Sequence, residues 1–271
     1  MNQYKLVVFD LDGTLYEGTS HFDYYANHLK QKVDKKDRTE FQLDYEAMKA
    51  GNHVVQIGKA YDVENDAVLT IDPMTLRVVE AHSWDGEKYA DKSVEEAYPG
   101  ELSFNFDNMI AIGDGWWYPF VCAKHYGVED CYSSYTATKE YMVSDDFTLE
   151  PLTGLRDHLM KLNKVTQTVV MTNSDREDVG RLFYELGLEG VFDHIIPSAN
   201  KPSSTSEQLQ HLLTQYEVKP EEAVSVGDNF INEIAPAVLL GMDAVYIHPQ
   251  MPEVDLEQVK VVSSVVDLFK E

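Results

Sequence analysis

The chain has 271 residues, 44% of them apolar, which suits one large domain or two modest ones with real cores. Its 47 acidic residues against 22 basic ones leave a net charge of −25, which repels a phosphate backbone or an anionic bilayer and so excludes polynucleotide and membrane-surface binding first. No stretch approaches the roughly 18 apolar residues of a spanning helix, and the apolar run 6–9 stops at Asp10, too short for a signal peptide, so a soluble, cytoplasmic protein is expected.

Residues 5–9 form a short β-rich run ahead of an Asp and Gly cluster and read as a buried parallel strand. The composition then changes, because residues 17–149 hold 20 of the 30 aromatic side chains, including all three Trp. Within that portion, 22–33 and 38–49 read as helices. Residues 67–71 and 76–81 flank Asp72-Pro73-Met74-Thr75, a turn-forming tetrapeptide, and predict a hairpin. The stretch 83–106 gives no assignment. Ile110-Ala111-Ile112-Gly113-Asp114 looks like a strand ending in Gly-Asp, and we read it as a turn. Gly115-Trp116-Trp117-Tyr118-Pro119 suits either an aromatic surface that closes over a substrate or a packed core or dimer contact. Residues 120–126 read as a helix. Cys122 and Cys131 fit neither a disulfide framework nor a zinc spacing and read as small buried side chains, and the nine His show no paired zinc spacing. Asp145-Asp146 reads as solvated linker.

From there the pattern alternates. Residues 152–162 have helical spacing, 165–171 are β-branched, and 175–186 place Val179, Leu182, Phe183 and Leu186 on one helical face before Gly187. A third strand is predicted at 194–197. Ser204 and Glu207 form a capping-box pattern ahead of Leu209, Leu212, Leu213 and Tyr216. A strand at 223–226, a helix at 231–240 and a strand at 244–247 complete the series. Repeated βα units predict an open α/β parallel sheet that binds ligands at the carboxyl ends of its strands, with residues 17–149 inserted as a mixed α+β domain.

Four sites follow four of these strands. Asp10-Leu11-Asp12-Gly13-Thr14 puts two carboxylates at a strand end, which suits a nucleophile beside a general acid/base, or an Asp-rich turn. Thr172-Asn173-Ser174 offers hydroxyls, amides and a helix start for an anion, or an ordinary helix cap. Lys201 offsets crowded negative charge, or is a surface lysine. Gly227-Asp228-Asn229, with Glu233 five residues past Asp228, offers oxygen ligands for a magnesium ion, or a turn.

In this order the four sites resemble the haloacid dehalogenase superfamily over residues 1–16 and about 150–248. The resemblance implies a Rossmann-like catalytic core of 1–16 and 150–271 with a cap, 17–149, that selects substrate. It also implies that Asp10 attacks phosphorus, that Asp12 serves as general acid and base, and that Thr172, the amide of Asn173 and Lys201 hold the phosphoryl group. Mg²⁺ would be bound by Asp10, Asp228 and the backbone carbonyl of Asp12. Dehalogenases of the family lack a second carboxylate at the position of Asp12, so the resemblance favours phosphatase chemistry on a small phosphorylated metabolite of the sugar phosphate or nucleotide class. Glu233 stands where Asp is usual, and Pro236 where Gly is frequent; the longer Glu233 reaches either Lys201 or a metal-bound water. A phosphomutase using the same intermediate and a non-catalytic binding module of this fold are the alternatives, and the oligomeric state stays open.

Overall fold

A computed structural model describes residues 1–270 and divides the chain into two compact units, one made of residues 1–18 and the chain from Val143 onward, the other Thr19–Met142. Strand β1 (Leu6–Phe9) is buried along its whole length, as an uncharged β-branched run at the centre of a sheet must be.

The chain then enters the second unit through α1 (Ser20–Lys32) and α2 (Arg38–Lys49), followed by β2 (Lys59–Asp62), β3 (Ala67–Ile71) and β4 (Val78–Ser83). A short α3 (Asp91–Ala97), then β5 (Met109–Ile112), α4 (Trp117–His125) and α5 (Tyr132–Met142) complete it. Its four strands form an antiparallel sheet in the order β4-β3-β2-β5. Tyr25, Leu29, Phe41, Tyr45 and Met48 of the two long helices pack with Tyr61, Val68, Ile110, Val121 and Cys122 in one core. The hairpin sits where the turn residues put it: Asp72 Oδ1 accepts from the N–H of Met74 at 2.8 Å. Leu76 is left-handed (φ +54°), so β4 starts at Val78 and not at 76. The unassigned stretch 83–106 contains α3. Both cysteines are free and buried.

Back in the first unit, α6 (Leu155–Leu162), β6 (Gln167–Met171), α7 (Arg176–Glu185), β7 (His194–Ile196), α8 (Thr205–Gln215) and β8 (Ala223–Gly227) alternate. A π-helical turn, Phe230–Ile234, leads into α9 (Ala235–Leu239), β9 (Asp243–Ile247) and β10 (Val259–Val262). All six strands are parallel, in the order β10-β9-β8-β1-β6-β7. Phe9 pairs with Val170 on one side and Val226 on the other, so the carboxyl ends of β1, β6 and β8 lie side by side. The first unit is thus an α/β parallel-sheet core, and the second a separate antiparallel module.

Three local expectations change. The helix expected at 231–240 is a wide turn followed by a short helix, because Pro236 has no N–H for the ladder and the Asn229 side chain takes the N–H groups of Ile231 and Asn232. Ser204 precedes α8 without capping it; its hydroxyl accepts from Asn200 Nδ2 at 3.2 Å instead. The edge strand β10 is an addition, too short and too exposed to leave a pattern.

Candidate active site

Asp10 is the first residue beyond β1, and its N–H still bonds to the Val226 carbonyl at 2.9 Å, which fixes the nucleophile candidate to the end of β8. Beyond it the chain curls: the N–H groups of Thr14 and Leu15 both bond to the carbonyl of Leu11. Gly13 lies in this curl at φ +76°, a conformation that favours glycine. A Cβ on Gly13 would stand 2.1 Å from Asp228 Oδ2, so the Asp228 carboxylate rests directly against this backbone.

Lys201 comes from the segment after β7 and is buried. Its ammonium donates to Asp10 Oδ1 and to Glu233 Oε1, both at 2.6 Å. Glu233 is buried too, and its other oxygen accepts from the Asn229 N–H at 3.0 Å. Burial pushes the carboxyls of Asp10 and Glu233 above their ordinary values, with Lys201 pulling both back. Burial also works against the charge on Lys201, but the two carboxylates outweigh it and hold the ammonium above its usual range. Glu233 therefore reaches the lysine.

Asp12 is half-buried and faces hydroxyls. Its Oδ1 accepts from Tyr16 at 2.5 Å, and its Oδ2 from Ser174 at 2.9 Å and from Thr172 at 3.4 Å. Thr172 follows β6, where its N–H bonds to the Ile196 carbonyl and its hydroxyl accepts from the Ser174 N–H. The Asn173 side chain is committed to Lys201, donating to its carbonyl at 3.1 Å and accepting from its N–H at 2.7 Å. The loops after β1, β6, β7 and β8 thus bring Asp10, Asp12, Thr172, Asn173, Lys201, Asp228 and Glu233 to one end of the sheet. Sequence reasoning missed the roles of Tyr16 and Ser174 around Asp12 and of Asn229 as a local cap. Tyr16 carried no periodic or spacing signal, whereas Asn229 at the start of a turn did.

Asp114 belongs to the second unit, at the exit of β5, where its Oδ1 accepts from the Trp116 N–H at 2.8 Å. Trp116 packs against His21, Phe22, Tyr25 and Tyr135, and Trp117 stacks on Phe106, so both are partly buried within that unit. Among the described residues no three His, Cys, Asp or Glu side chains group to hold a metal, and no helix is long and apolar enough to cross a membrane.

A family model for haloacid dehalogenase-like hydrolases matches residues 4–241. The chain belongs to the haloacid dehalogenase-like hydrolase family. Within the family, it is 27% identical over 146 residues to haloacid dehalogenase-like hydrolase domain-containing protein 3 of Xenopus laevis, covering 51% of this chain and 59% of that one. The chain thus spans about three fifths of that curated relative. Among solved structures, the magnesium-bound HAD-hydrolase YfnB of Bacillus subtilis superposes with a TM-score of 0.54 at 13% identity, over 98% of this chain and 97% of that one. A crystal structure of a dehalogenase superposes at 0.50 and 14% identity, over 99% and 97%. At these identities the superpositions show the hydrolase fold alone.

Proposed function

We propose that this hydrolase is a Mg²⁺-dependent phosphatase that acts on a small phosphorylated metabolite through an aspartyl-phosphate on Asp10. The observation that carries this reading is the second carboxylate, Asp12, held among three hydroxyls two residues beyond Asp10. A halide leaves carbon as an anion and needs no proton, whereas an alkoxide leaving phosphorus does, so a carboxyl placed to give a proton to the leaving group has work only in the second reaction.

The residues also fit a magnesium ion. Asp10 and Asp228 are hard oxygen donors, and the Gly13 backbone that Asp228 touches is joined to the Asp12 carbonyl. Magnesium is commonly held by one or two carboxylates with water completing the shell. Bound there, it would offset the charge of carboxylates meeting a phosphate dianion.

In the reaction, Asp10 Oδ attacks phosphorus and the bond to the ester oxygen breaks. Lys201 holds Asp10 and balances the phosphoryl charge, while the Thr172 hydroxyl and the backbone N–H of Asn173 receive the phosphoryl oxygens, the Asn173 side chain being occupied. Asp12 gives its proton to the leaving oxygen. It then takes a proton from the water that attacks phosphorus, which returns Asp10 as a carboxylate and releases phosphate.

The test is phosphate release from sugar phosphates, nucleoside monophosphates and an aryl phosphate, with Mg²⁺ or EDTA, and halide release from 2-haloacids in parallel. Magnesium-dependent phosphate release that Asp10→Asn abolishes is the expected result. Halide release without phosphate release contradicts the reading. Transfer of phosphate to a second hydroxyl with none freed marks a mutase.

A further inference from the structure

We infer that Tyr16 and Ser174 are positioning residues which clamp the two oxygens of Asp12 and so set the efficiency of its proton transfers; this rests on the phosphatase reading above. Tyr16 is buried, and its hydroxyl lies 2.5 Å from Asp12 Oδ1. It stands four residues downstream in the same curl, and a β-bridge between Asp12 and Tyr16 ties the two backbones together. Ser174, also buried, approaches Oδ2 at 2.9 Å from the loop after β6, much closer than the 3.4 Å of Thr172. The carboxylate is therefore gripped at both ends from two different loops, and its plane is set by them.

What the clamp removes is freedom of rotation about the Cα–Cβ and Cβ–Cγ bonds. A half-buried aspartate without such partners samples several rotamers, and a group misplaced by about 1 Å loses roughly a hundredfold in rate. Neither hydroxyl touches the phosphoryl group in this scheme. Thr172 is a phosphate ligand, whereas Tyr16 and Ser174 act through Asp12.

Division of labour between the two chemical steps gives a test that a structural role would not pass. p-Nitrophenolate leaves without a proton, so transfer of its phosphoryl group to Asp10 does not use Asp12, but hydrolysis of the aspartyl-phosphate does. Alkyl phosphates need Asp12 in both steps. The experiment is stopped-flow and steady-state turnover of p-nitrophenyl phosphate and of an alkyl phosphate by wild type, Tyr16→Phe and Ser174→Ala with Mg²⁺, each checked for folding by circular dichroism. Tyr16→Phe keeps the buried ring, and Ser174→Ala removes one small hydroxyl.

The expected result for each variant is a p-nitrophenolate burst at the wild-type rate followed by a steady state slowed about ten- to a hundredfold. Phosphoenzyme accumulates, and the alkyl phosphate suffers the larger loss in kcat with little change in KM. Turnover equal to wild type, or burst and steady state reduced in the same proportion, overturns the inference and leaves the phosphatase reading standing. A wild-type protein that releases no phosphate from either ester overturns both.

Discussion

The missing side chain of Gly13 makes room for Asp228. Alanine there would need φ +76° and would put a Cβ 2.1 Å from the Asp228 carboxylate. Gly13→Ala is expected to cost at least about 1–2 kcal/mol in urea unfolding and to abolish the Mg²⁺ shift in melting temperature. An unchanged melt with the shift intact would show that the curl relaxes freely. Lys201 sits between two buried carboxylates, and removing one partner of a buried ionic group is strongly destabilising. Lys201→Met is expected to lose about 3–5 kcal/mol at neutral pH; a loss below about 1 kcal/mol would mean that Asp10 and Glu233 do not depend on it. The cysteines give a milder expectation. Burial pushes the Cys122 thiol up and that of Cys131 to about 11, so both stay protonated near neutrality and neither reacts with an aromatic disulfide until the chain is denatured. The placement of Asp10, Lys201 and Asp228 at one end of the sheet was legible because each follows a strand whose pattern is visible. The grip of Tyr16 on Asp12 was not, since it depends on how the curl closes and not on spacing.

Elements meet at the site through their loops. Asn173, after β6, holds both backbone groups of Lys201, after β7, so two elements that are neighbours in the sheet are also locked at its carboxyl end. Asn173→Ala is expected to cost about 1–3 kcal/mol, since it leaves a buried donor and acceptor unpaired, and to lower activity by loosening Lys201. Equal stability in thermal melts would mean that water replaces the amide. The parallel strands and α7 were readable because uninterrupted β-branched runs and a 3.6-residue period leave few alternatives. The turn at Phe230–Ile234 was not, because Asn229 and Pro236 redirect hydrogen bonds without disturbing the apolar spacing. Nor was β10, whose pairing with β9 is a long-range choice that four residues do not record.

At the scale of the molecule, a net charge of −25 is spread over two compact units, each of which buries a hydrophobic core among its described residues. Self-repulsion on that scale is screened by salt. The melting temperature is expected to rise between about 0.01 M and about 0.15 M NaCl, as the screening length falls from about 30 Å to about 8 Å. A flat or falling curve would mean that local ion pairs dominate. The family and the parallel sheet were visible in the order of the strands. The packing of Trp116 and Trp117 was left open between surface and core, and the structure finds both partly buried in their own unit.

The central claim is that Asp10 carries the phosphoryl group. Its most direct test is acid quenching of the protein during turnover of an aryl phosphate with Mg²⁺, followed by peptide mass mapping. The account predicts the mass of one phosphoryl group on the peptide that contains Asp10, sensitive to hydroxylamine and absent from Asp10→Asn. Phosphate release at full rate with that peptide unmodified at every quench time, or an ester at Asp10 formed from a 2-haloacid instead, would contradict it.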